Sequence, residues 1–106
     1  MEFSEMMERA TRVRKRYAEF ETEKYGARWT NEELALGFVG DVGDLVKLVM
    51  AVNGRRGIEN AREKLEHELA DCLWSVLVLA DAHAIDLERA FARTMAELEK
   101  RLNAHD

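Results

Sequence analysis

Four carboxylates stand where chemistry could use them: Asp41 with Asp44, and Glu68 with Asp71. Within each pair the spacing is three residues, which puts both acids on one face of a helix. The first pair shares its face with Leu34, Phe38, Leu45 and Leu48, the second with Leu65, Cys72 and Leu79. Ionised carboxylates directed toward a core are costly unless positive charge compensates them. Acid pairs at this spacing are common on solvated faces, but two of them on apolar stripes of consecutive helices fit that explanation poorly. A divalent cation is what the gathering calls for. Magnesium takes oxygen ligands in octahedral geometry at about 2.0–2.1 Å and needs neither histidine nor cysteine. Two helices offering acid-x-x-acid to each other leave room for waters and a polyphosphate. The chemistry in view is metal-assisted attack of water on phosphorus.

Competing chemistries lack their residues. A di-iron bundle uses Glu-x-x-His, whereas Lys64 stands three before His67 and Ala80 three before His83. There is no Gly-x-x-x-x-Gly-Lys loop for phosphate. Ser75 lies in an apolar run, so no serine–histidine–acid arrangement can be placed. Cys72 is the single cysteine. It has no internal disulfide partner, suits a reducing cytoplasm, and in its apolar setting reads as a buried inert thiol.

The acids must be carried by helices, and the pattern supplies four. The first is expected from a Ser4 cap to Gly26, with Met6, Met7, Ala10, Val13, Tyr17 and Phe20 at helical spacing. Glu5 with Arg9 and Glu8 with Arg12 add pairs four apart on its exposed side. The second opens on a capping box, Thr30 with Glu33, and runs to about Asn53 before Gly54-Arg55-Arg56-Gly57. A third is expected from Ile58–Asn60 to about His83, apolar nearly all round from Leu69 to Ala80. Asp86 caps a fourth, whose stripe is Leu87, Phe91, Met95, Leu98 and Leu102. The fold class is all-α: a four-helix bundle, completed by oligomerisation because one chain leaves the third helix hard to cover.

With 106 residues the chain is read as one domain, 1–106, able to bury roughly two-thirds of its unfolded surface. The absence of proline favours long helices. The N-terminal Met1-Glu2-Phe3-Ser4-Glu5 is too acidic for a secretory signal. The apolar run from Cys72 to Ala80 falls short of the ~20 residues a membrane span needs. A net charge of −5 argues against duplex nucleic acid as a partner. The expectation is a soluble cytoplasmic protein, a homodimer or homotetramer.

Three stretches carry a resemblance. Gly40-Asp41-Val42-Gly43-Asp44-Leu45 resembles the Glu-x-Gly-Glu-Leu signature of the MazG-like all-α nucleoside triphosphate pyrophosphohydrolases. Glu68-Leu69-Ala70-Asp71-Cys72-Leu73 is similar to their second motif, Glu-x-x-Asp before an apolar run, and Ile85-Asp86-Leu87-Glu88-Arg89-Ala90 to the opening of their last helix. The similarity spans roughly Tyr25 to Arg101, with the dCTP-pyrophosphatase-like branch the nearest in appearance. It implies a nucleoside triphosphate substrate, cleaved between the α and β phosphates to monophosphate and pyrophosphate. It also implies magnesium, held by Asp41, Asp44, Glu68 and Asp71 as catalytic ligands. Removal of non-standard or surplus deoxynucleotides is the role such enzymes often serve.

The chain also departs from that pattern. Both acids of the first motif are aspartate, one methylene shorter than glutamate, which favours weaker binding or larger manganese. Thr94 and Leu98 stand where many members carry lysine and asparagine for the substrate. The alternative these departures support is an inactive nucleotide- or partner-binding bundle of the same fold. Substrate-binding candidates are Tyr25 and Trp29, whose faces suit a base or ordinary packing, and Lys47 and Arg93 for phosphate. The basic group Arg9, Arg12, Arg14, Lys15 and Arg16 reads as a solvated face. A phosphate-facing patch is its sharper alternative. Trp74 is expected in the core or at a subunit interface.

Overall fold

Local capping chemistry decides where most of the helices begin. The computed structural model describes residues 1–104, which form four helices and no strand. They are α1 (Phe3–Tyr25), α2 (Asn31–Val52), α3 (Ala61–Ala82) and α4 (Leu87–Asn103). The α2 capping box forms as expected: Thr30 Oγ1 accepts from the Glu33 N–H at 3.1 Å, and the Glu33 carboxylate accepts from the Thr30 N–H at 2.9 Å. Asp86 caps α4 by accepting from the Arg89 N–H. The first helix differs from expectation. Its cap is Glu2 rather than Ser4, because the Glu5 carboxylate reaches back to the Glu2 N–H at 3.3 Å and starts the helix two residues earlier. The third begins later than expected, at Ala61, since Asn60 takes a left-handed conformation (φ 55°) that no helix interior tolerates.

Helix α3 is the common partner of α1 and α2, and most of the buried core lies on it: Cys72, Leu77, Val78 and Ala80. Ala10 and Ala18 of α1 and Leu48 of α2 complete the buried apolar set. Small residues at 10 and 18 allow α1 to approach closely. The Trp74 indole N–H donates to the Ala10 carbonyl at 3.0 Å, and the Trp74 ring lies 5.8 Å from that of Tyr17.

Much apolar surface stays uncovered. The radius of gyration is 17.0 Å, against about 13 Å for a compact chain of this length. No residue of α4 is buried, and Phe91 and Leu102 on its apolar stripe are more than 60% exposed. The sequence pattern put the uncovered face on α3. Leu69 and Leu73 do lie exposed there, but α2 presents a second apolar face with Leu36, Val39 and Val46.

Candidate metal centre

The α2 stripe that meets α3 carries Leu34, Phe38, Asp41, Leu45 and Leu48, so the first acid sits amid the helix contact while Asp44 lies at its exposed edge. From α3, Glu68 faces them. One carboxylate oxygen from each of Asp41, Asp44 and Glu68 lies within 4.8 Å of the other two. Asp71 turns elsewhere: its Oδ2 is 3.2 Å from Nε2 of His67, one turn back on α3, and it adds no oxygen to the group of three. It remains close enough for its charge to bear on Glu68.

Glu68 is the strained member. Its Oε1 is buried without a hydrogen-bond partner. Burial, followed by the charges of Asp41, Asp71 and Asp44, holds its pKa above the usual carboxylate range. An acceptor left without a donor costs roughly 1–3 kcal/mol. Three carboxylates, one of them orphaned, form an all-oxygen donor set of the kind hard divalent cations take, and no lysine or arginine among the described residues forms an ion pair with them. The residues fit a metal. Neighbouring Cys72 is buried, and burial with the charge of Glu68 raises its thiol pKa. It stays a neutral thiol, as its sequence setting indicates.

Two open cavities border the acids. One, of about 440 Å³, is walled by Asp44 and Glu68 together with Lys47, Lys64 and His67. The other, of about 380 Å³, reaches Asp41 and is walled by Tyr17, Trp29, Phe38 and Trp74. The structure thus brings Lys47 and Trp29 to the acids. Tyr25 and Arg93 border neither cavity: Tyr25 ends α1, fully two-thirds exposed, with the Lys24 ammonium over its ring, and Arg93 is exposed on α4.

Arg14, read from the sequence as part of a solvated face, and Glu21, which the sequence did not single out, also wall the second cavity. Arg14 is no part of a solvated basic face. It is buried and grips Glu21 with two hydrogen bonds, Nη1 to Oε2 at 2.8 Å and Nη2 to Oε1 at 2.9 Å. Spacing of seven places both on one side of α1, a signal visible in the sequence but masked by the surrounding charges. The neighbouring pairs Glu5–Arg9 and Glu8–Arg12 do not close as ion pairs.

The MazG nucleotide pyrophosphohydrolase domain matches residues 29–105. The chain belongs to that family. Its matched segment opens at Trp29 and includes all four acids, so the site and the family signature coincide in sequence. Comparison with curated proteins and with solved structures finds no match. No helix among the described residues is long and apolar enough to cross a membrane.

Proposed function

We propose that this MazG domain, residues 1–106 acting as one unit, hydrolyses a nucleoside triphosphate to its monophosphate and pyrophosphate. The observation that carries the proposal is the orphaned, buried Glu68 Oε1 facing Asp41 and Asp44 across the α2–α3 contact. Magnesium, or manganese given the short first pair, would be held by these three acids, with Asp71 completing the set if it releases His67. Such a cation neutralises phosphate charge and lowers the pKa of a nearby water.

The chain's own residues divide the remaining work. Lys47 and Lys64, on the cavity beside Asp44, offer ammonium groups to the phosphates. The aromatic cavity beside Asp41 receives the base, with Trp29 and Trp74 as stacking faces. Arg93 and Tyr25 border neither cavity, so their expected share falls to Lys47 and Trp29. A deoxynucleotide house-cleaning role in the cytoplasm accords with this reaction and with a lone reduced thiol.

The working form is a homodimer or homotetramer. Exposed apolar faces on α2 and α4, with an expanded radius of gyration, support a second copy closing the bundle. Sedimentation at micromolar concentration is expected to give a dimer or larger, and a stable monomer contradicts the assembly. Incubation with a nucleotide panel and magnesium or manganese is expected to release pyrophosphate. Orthophosphate as the product contradicts the proposed cleavage.

A second reading is a silent nucleotide- or partner-binding bundle, favoured by the two aspartates of the first motif and by Thr94 and Leu98. Tight nucleotide binding in calorimetry without product formation would support it.

A further inference from the structure

Buried ion pairs are poor devices for stability, since well-packed apolar groups of similar volume serve as well or better. The Arg14–Glu21 pair is therefore informative. It sits on a helix face otherwise lined by Ala10 and Ala18, and both partners are only 8% exposed. Glu21 does more than answer Arg14. Its Oε1 also accepts the backbone N–H of Trp29 at 2.9 Å, eight residues on and across the turn made by left-handed Gly26 (φ 83°). These bonds hold the Glu21 carboxylate ionised, its pKa lowered first by Arg14. No apolar residue at 21 could accept that N–H.

The bond fixes one wall of the cavity beside Asp41. Trp74 is held on the other side by its own bond to Ala10. Trp29 hangs from the α1–α2 turn, 44% exposed, with its ring against α2 at Gly37, where an added Cβ would stand 3.4 Å from Cζ3. Arg14 and Glu21 themselves line the same cavity.

We infer that Arg14 and Glu21 are a positioning pair: Arg14 orients the Glu21 carboxylate, which captures the Trp29 N–H and thereby presets the stacking wall for the base. This rests on the proposed nucleotide-binding role of the cavity and assigns the pair to its regulation of affinity. Neither residue acts on the phosphates. The pair governs binding of the base, and pyrophosphate, which has none, is indifferent to it.

The decisive protein is Arg14→Met/Glu21→Met in the full chain, because replacing both partners restores an apolar fit while removing the acceptor. Glu21→Gln is its companion, since the amide oxygen still accepts the Trp29 N–H. Two readouts are taken: hydrogen exchange at the Trp29 amide, and calorimetric affinity for the four α,β-imido deoxynucleoside triphosphates and for inorganic pyrophosphate. The double variant is expected to fold, to exchange the Trp29 amide faster, and to bind its preferred nucleotide about tenfold more weakly, with pyrophosphate affinity unchanged. Glu21→Gln keeps an oxygen for the Trp29 N–H but sets an amide NH2 against Arg14 Nη1, so its protection and affinity are expected to fall between those of wild type and the double variant. Unchanged nucleotide affinity in the folded double variant, an unchanged amide, or equal losses for nucleotide and pyrophosphate each overturn the inference. So does a wild-type chain that binds none of the four nucleotides more tightly than pyrophosphate. Failure of wild type to release pyrophosphate in turnover is a separate result. It defeats the proposed reaction and leaves the binding comparison readable.

Discussion

Two acidic sites in this molecule, one buried and one half-buried, meet opposite fates. Glu21 is covered by α1 and its following turn and receives three hydrogen bonds, two from Arg14 and one from Trp29, so its pKa falls. Glu68 lies half-buried in the α2–α3 contact, where burial and then the charges of Asp41, Asp71 and Asp44 outweigh that of His67, and its pKa rises. Among the described residues no lysine or arginine forms an ion pair at the second site, and only the weaker charge of His67 opposes the shift of Glu68. The fold compensates the buried Glu21 carboxylate with hydrogen bonds and leaves one Glu68 oxygen without any, which is the gap the proposed cation would fill. In the proposed reading, affinity for a cation and the stability lost by leaving Glu68 bare are two sides of one electrostatic arrangement.

The largest expected effect breaks the cation side of this contrast. Glu68→Ala is expected to abolish pyrophosphate release and to lower manganese affinity by more than the roughly 10–100-fold typical of residues behind the ligands. The metal-free variant should melt no lower than wild type, because removing one acid relieves repulsion. Manganese titration and thermal melts on the same samples read both. A marked fall in melting temperature would mean that Glu68 serves packing.

On the compensated side, Arg14→Met strands Glu21 without its cation and is expected to cost about 3–5 kcal/mol, measured by denaturant unfolding. The double methionine variant should recover most of that. If the single change proves harmless, Glu21 is not held by Arg14 in solution.

Acidity separates the two sites by sign. For Glu21 the folded pKa is depressed, so its stabilisation is present above the unfolded value of about 4.3 and is lost as pH falls through the folded value. For Glu68 the folded pKa is elevated, so the folded state binds more protons and metal-free stability declines as pH rises above about 4.3. Stability against pH, measured in chelator, should lose its upper decline in Glu68→Gln and keep its acidic loss. Saturating manganese should offset the upper decline, by about 2.7 kcal/mol at a hundredfold excess over Kd.

The smallest effect sharpens the metal site. Asp71→Asn is expected to weaken manganese binding less than Glu68→Gln, since the structure pairs Asp71 with His67. Equal losses would restore Asp71 to full ligand rank, as its motif position implies.

Much of this was legible in advance, residue by residue. Thr30 with Glu33 and Asp86 announced two helix starts because caps are built from neighbours three residues apart. Ser4 misled because a competing local bond, Glu5 to Glu2, lay one step further out. The basic cluster on α1 hid Arg14 because charge in a sequence does not state which residue the packing will bury. Tyr25 and Trp29 looked equivalent as aromatic neighbours, yet the Gly26 turn carries Trp29 to the cavity and leaves Tyr25 outside.

The sequence by itself determined the four helices and the placing of acids three apart on apolar stripes, since periodicity and capping act within a turn or two of the chain. The tertiary structure alone decided that Glu68 joins Asp41 and Asp44 while Asp71 turns to His67. It also decided that Trp74 reaches Ala10, 64 residues away. Those choices depend on how helices dock and which rotamers fit between them, and no local spacing encodes that.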